Sequence, residues 1–197
     1  MQNIFLSNQN PEDYTKKDGV GEYPMAPRKC PFKDCGVNLE MKKNGFYVRF
    51  LMTLMFSGMI RIRRYKCPKC KRTVSMLPSF CLAGFSYGVE LVTSLLQQAI
   101  KTGSIKKTVA EWREHWESIS RRLVNKYLTR LRNNRKMIQY GMNQISPDNI
   151  SLGRIPGDTE WTKSFLLGIR PNLSPELNAD FQKVTGKSFM SLQNRIS

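Results

Sequence analysis

The stretches CPFKDCG at residues 30–36 and YKCPKCKRT at residues 65–73 decide the fold. Each carries two cysteines, at C-x4-C and C-x2-C spacing, and the thiolates of Cys30, Cys35, Cys67 and Cys70 form the soft, anionic set that closes a tetrahedral Zn²⁺ site. Between the pairs, the apolar run 46–55, a Ser57-Gly58 turn and residues 59–66 read as a β-hairpin that brings the second pair back to the first. One Zn²⁺ is expected, structural in role, because four thiolates leave no position for a reactive water. A redox role for Cys67 and Cys70 calls for a motif that opens a helix, whereas a basic strand precedes this one.

On the second strand, period two puts Arg61, Arg63 and Tyr65 on one face and Ile60, Ile62 and Arg64 on the other, so one face packs while the other meets phosphate. Cys81, inside LPSFCLAGF, reads as a small buried residue and not as a ligand. His115 is the single histidine and has no second base beside it, which leaves histidine catalysis without support.

Charge extends the reading outward. Thirty-two Lys and Arg face fifteen Asp and Glu, a formal +17 that self-repels in a compact chain and favours a polyanionic partner. The excess is clustered: residues 28–74 hold thirteen basic and two acidic side chains, and residues 101–136 hold eleven and three. Nucleic acid is the expected partner, double-stranded DNA first. The most apolar run, 46–60, contains Arg49 and falls short of the ~20 residues that cross a bilayer, so no membrane partner is expected. The first residues lack the basic and apolar regions of a signal peptide, which points to a cytoplasmic protein, nucleoid-associated when bound.

Beyond Gly84 the periodicity becomes helical. Val89, Val92, Leu95, Leu96 and Ala99 mark one helix stopping at Gly103; Ile105, Val109 and Trp112 follow the cap Ser104; Ile119, Leu123, Val124, Tyr127, Leu128 and Leu131 mark a third helix after Ser118. Removing that apolar stripe leaves Ser118, Ser120, Arg121, Arg122 and Asn125 for base edges and Lys126, Arg130 and Arg132 for phosphates, with Lys106 and Lys107 on the preceding helix and Arg61 and Arg63 on the hairpin as further DNA contacts. Past Gly141 a turn-rich linker leads to two short helices, about 159–167 and, capped by Ser174 with Pro175 first, to Gly186.

The expected fold class is therefore α+β: a flexible N-terminal arm (1–27), a small zinc ribbon made of a β-hairpin with two cysteine knuckles (28–82), a mainly α, tri-helical helix-turn-helix bundle (84–140), and a linker with a short helical C-terminal appendage (141–197). The appendage is a candidate surface for a protein partner, and self-association as a homo-oligomer stays open.

CPFKDCG, RIRRYKCPKCKRTVSMLPSF and the helical segments with SIKKTVAEW and SISRRLVNKYLTRL resemble, over residues 28–136, the N-terminal zinc-ribbon and helix-turn-helix region of bacterial insertion-sequence transposases and related small proteins. The resemblance implies zinc ligation by Cys30, Cys35, Cys67 and Cys70, and DNA contact by the helix after Ser118. Two departures stand out: Lys71 replaces the glycine that commonly follows the second knuckle, and beyond the third helix the five acids Asp148, Asp158, Glu160, Glu176 and Asp180 on a short segment do not furnish the scaffold of metal-dependent strand transfer. The expectation is a non-catalytic, zinc-dependent DNA-binding protein, a mobile-element regulator or accessory targeting subunit. An RNA-binding component of a ribonucleoprotein is the alternative, and a fragment-like transposase or nuclease the remote one.

Overall fold

The structure is a computed structural model, described over residues 1–16, 23–145, 157–168 and 174–191. It is mixed α+β and divides into two compact units, residues 1–88 and 89–197.

The first unit is built on a four-stranded sheet of order β1-β4-β3-β2, where β1 is Gln2–Phe5, β2 Lys42–Met52, β3 Ser57–Lys66 and β4 Thr73–Pro78. Among the described residues one helix, α1 (Pro11–Lys16), lies between β1 and β2 in sequence. The β2–β3 pair is the expected hairpin, antiparallel from Lys42↔Lys66 to Met52↔Ser57. Its turn falls at residues 53–56 instead of at Ser57-Gly58, because Thr53 accepts the Phe56 amide on its hydroxyl at 3.0 Å and closes the loop itself. Ser57 and Gly58 are thereby drawn into the ladder opposite Met52 and Leu51.

The first residues are not the flexible arm expected of them. β1 runs parallel to β4, in register Gln2↔Ser75 to Phe5↔Pro78, and Tyr14 of α1 is buried and donates its hydroxyl to the Arg61 carbonyl at 3.0 Å. A four-residue strand without alternation carries too little pattern to be seen alone; β4, itself in a run read only as the stretch after the second knuckle, supplies its partner. Leu51, Ile60, Ile62, Leu77, Phe80, Cys81 and Tyr14 form one core cluster on that side of the sheet. Burial pushes the Cys81 thiol up to about 12, as suits an inert core residue.

The second unit contains α2 (Val89–Thr102), α3 (Ile105–Arg113), α4 (Arg121–Asn133), α5 (Arg135–Ile145), α6 (Asp158–Gly168) and α7 (Pro175–Thr185). The expected stops and caps are in place: Gly103 and Gly186 take φ of 63° and 68°, and Ser104 and Ser174 cap α3 and α7. α2, α3 and α4 are in mutual contact, and α6 packs on α2 and α4.

Two expectations change here. Gly141 does not end the helical region but sits inside α5, buried, where a Cβ would come within 2.5 Å of Phe181 of α7. It is a close-approach glycine, and helical periodicity cannot distinguish that use from a stop. The C-terminal helices are also core and not an appendage: Trp161 stacks on Phe165 with ring centroids 5.2 Å apart, Phe181 stacks on Phe189 at 3.8 Å, and all four are fully buried. Asn134, between α4 and α5, donates to the carbonyls of Phe189 at 2.6 Å and Ser191 at 2.9 Å, which ties the segment after α7 to the bundle. The linker core, residues 146–156, lies outside the described residues.

Candidate metal centre and basic helix

Two short turns carry the cysteines. In the first, Cys35 and Gly36 both donate backbone N–H groups to the Phe32 carbonyl, at 2.9 and 2.8 Å, and Cys30 donates to Val37 at 3.0 Å. In the second, Cys67 donates to Arg72 at 2.9 Å and Lys71 donates back to Cys67 at 3.1 Å. The residue after the second cysteine of each pair turns left-handed: Gly36 has φ 51° and Lys71 φ 62°. Lys71 is the one non-glycine with positive φ among the described residues, so the sequence's departure from glycine leaves the turn intact and strains it locally.

The hairpin and β4 bring the turns together. Cys30 and Cys70 sulfurs lie 3.7 Å apart, Cys35 and Cys67 sulfurs 3.9 Å, and all four within 4.8 Å of one another. A tetrahedral zinc with Zn–S of about 2.3 Å needs sulfurs about 3.8 Å apart, so two edges of the tetrahedron already match. The same distances are far too long for disulfides, and all five cysteines are free thiols. The cluster can hold a metal ion such as zinc. Cys30 and Cys67 are buried beside Met41, Tyr65, Val74 and Met76, a second core cluster with the four sulfurs at its edge. Among the described residues no other group of three or more His, Cys, Asp or Glu side chains could share an ion.

Arg72 is the site residue that ligand spacing could not reveal. Its guanidinium donates to Asp34 Oδ1 at 2.6 Å, stands 4.1 Å over the Phe32 ring and hydrogen-bonds Cys70, so it bridges both turns. The guanidinium holds the Cys70 thiol well below its ordinary value, which favours the thiolate that a metal requires, while burial pushes the Cys30 thiol up. Asp34 is likewise held low by Arg72. An acid in the first turn and a base just past the second cysteine are a signal that spacing alone does not flag.

The hairpin face expected to meet phosphate is divided. Ile60 and Ile62 are fully buried and Arg61 exposed, as period two demands. Tyr65, expected outward with Arg61 and Arg63, is buried at 2% exposure because the cysteine-bearing segment covers that end, its hydroxyl donating to the Pro24 carbonyl. Arg63 is half-buried, its guanidinium 3.8 Å from the Phe46 ring centroid and 4.9 Å from that of Tyr23.

In the second unit, α4 starts at Arg121 and Ser120 is its N-cap, accepting the Leu123 amide on its hydroxyl at 3.2 Å. Ser118 lies exposed in the connection before it. Val124, Tyr127, Leu128 and Leu131 are the buried stripe, and Arg121, Arg122, Asn125 and Lys126 form an exposed row at the helix's N-terminal half. Lys106 and Lys107, in the first turn of α3, are also exposed. Arg130 and Arg132 are half-buried, and Arg130 donates to the Met190 carbonyl at 3.1 Å, so it fastens the C-terminal segment. His115 is exposed with its ring edge-on to Trp116. No described helix is long and apolar enough to cross a membrane.

No protein-family model, curated protein or solved structure matches this chain.

Proposed function

We propose that the protein is a non-catalytic DNA-binding protein in which one structural zinc, held by Cys30, Cys35, Cys67 and Cys70, stabilises a zinc-ribbon unit, and a helix-turn-helix unit binds duplex DNA through α4. Its resemblance to the DNA-binding region of insertion-sequence transposases supports the reading of a mobile-element regulator or an accessory subunit that targets a separate enzyme. The observation that carries this reading is the division of α4: a continuous apolar stripe is buried against α2 and α3, and the opposite row, Arg121, Arg122, Asn125 and Lys126, is exposed. A major-groove helix needs that arrangement, with bidentate donors near its N-terminal half and cations flanking them.

Arg121 and Arg122 can address guanine edges, Asn125 adenine, and Lys126 with Lys106 and Lys107 the phosphates. Ser120 and Arg130 act instead on the protein's own backbone, as cap and tether.

The test is duplex affinity measured as salt is raised. Three exposed lysines neutralising phosphates give a log–log slope on the order of −3. Arg122→Ala should weaken duplex binding about tenfold and leave helicity and metal content unchanged. A slope near zero, or an Arg122→Ala protein that binds duplex as the parent does, overturns the reading.

A further inference from the structure

The β2–β3 hairpin has one face sealed and the other covered only at its Tyr65 end. Leu51, Ile60 and Ile62 are fully buried on the first. On the second, the cross-strand pairs Val48↔Arg61 and Phe50↔Met59 carry Val48 at 58% exposure, Phe50 at 39% and Met59 at 64%. Exposed apolar side chains in register on a sheet otherwise rich in lysine and arginine suit a partner that is apolar and anionic at once.

Two positions along the same ladder, Phe46↔Arg63 leads into a groove of about 750 Å³. Arg63, Lys42 and Lys43 line it with Tyr23 and Tyr65, and Glu40 is its one acid. The face and the groove therefore combine flat apolar surface with cations in a continuous run.

We propose that this face binds an unpaired polynucleotide strand, with bases lying against Phe50, Met59 and Val48 and phosphates met by Arg61 and by the cations of the groove. Each base has a π-face that an aromatic or thioether side chain can cover, and the backbone between bases supplies the anion. A duplex hides its base faces and offers Val48, Phe50 and Met59 only phosphate. A second copy of the chain would set arginine against arginine. An anionic bilayer would cover the apolar residues and offer headgroup phosphates to the groove but no flat base faces, so vesicles form a separate arm of the test. The site is independent of the α4 reading, since it lies in the other unit and uses other residues.

The experiment measures binding of the full-length, zinc-loaded protein to fluorescent oligothymidylate, oligouridylate and a duplex of equal length, with phosphatidylglycerol vesicles as a fourth arm. Phe50→Ala is expected to weaken one or both single strands about fivefold, the low end for loss of one base–aromatic contact, and to leave the duplex unchanged. Arg122→Ala should do the reverse, so failure of one site is distinguishable from failure of the other. Met59→Ala, on a more exposed side chain, reports the same loss if Phe50→Ala does not retain zinc. The proposal is overturned if neither strand binds, if both variants bind single strands like the parent, if duplex affinity falls by the same factor, or if the variants lose only vesicle binding.

Discussion

The two units bury their cores by different means. In residues 89–197 four aromatic rings, Trp161, Phe165, Phe181 and Phe189, join the stripes of α2 and α4 in an apolar interior that closes on itself. In residues 1–88 one cluster does the same around Ile60, Ile62 and Leu77, but the other runs out into four sulfurs, with Cys30 and Cys67 buried and Cys35 and Cys70 half-buried. Thiolates brought within 4.8 Å repel one another unless a cation sits between them. The lesson is that the core of the first unit ends in a thiol cluster that can hold a metal ion, whereas the described core of the second unit is made of apolar side chains.

The largest effect that follows is that of Cys67→Ser. Structural zinc contributes on the order of 10 kcal/mol to folding in small zinc domains, so losing a buried ligand should abolish metal binding and the β-sheet signal while helix content persists. Metal analysis and circular dichroism of the same sample check both halves of the statement. Smaller is Gly141→Ala. The added methyl meets Phe181, which cannot retreat because it is stacked on Phe189, and the helical unit should lose about 1–3 kcal/mol in denaturant titration with zinc content unchanged.

The smallest contrast lies between the two cysteine turns. Gly36 and Lys71 hold the same left-handed conformation, at no steric cost for glycine and about 1 kcal/mol for lysine. Lys71→Gly should therefore stabilise the first unit by about 0.5 kcal/mol, after the entropy that glycine adds to the unfolded chain, and Gly36→Ala should destabilise it by about 1 kcal/mol. Equal effects of the same sign would show that the turns are not equivalent.

The same contrast explains what the sequence could and could not show. The four cysteines were legible because ligand chemistry dictates both residue type and spacing, and α2, α3, α4 and α7 were legible because an apolar stripe marks each, with Gly103 ending α2 and Ser104 and Ser174 capping α3 and α7. β1 was not, since Gln2–Phe5 has no pattern until β4 lies beside it. The turn at residues 53–56 was hidden because Thr53 is a weaker turn signal than Ser57-Gly58. The integration of α6 and α7 was hidden by Gly141, whose role depends on a ring forty residues away in sequence. On α4 the buried Val124, Tyr127, Leu128 and Leu131 and the exposed Arg121, Arg122, Asn125 and Lys126 lie where periodicity placed them, but Arg130 and Arg132 are half-buried, and the sequence did not foresee that Ser120 would cap the helix or that Arg130 would reach Met190. Tertiary contacts decided each of these, and local patterns carry no record of them.

The contrast between the units is tested most directly by amide hydrogen exchange, read peptide by peptide, on the zinc-loaded protein before and after a strong chelator. Protection is expected to collapse across β2, β3 and β4 when the metal is removed and to stay in α2, α4, α5 and α7. Protection that survives chelation in the strands, or that is lost equally in both units, would contradict that expectation.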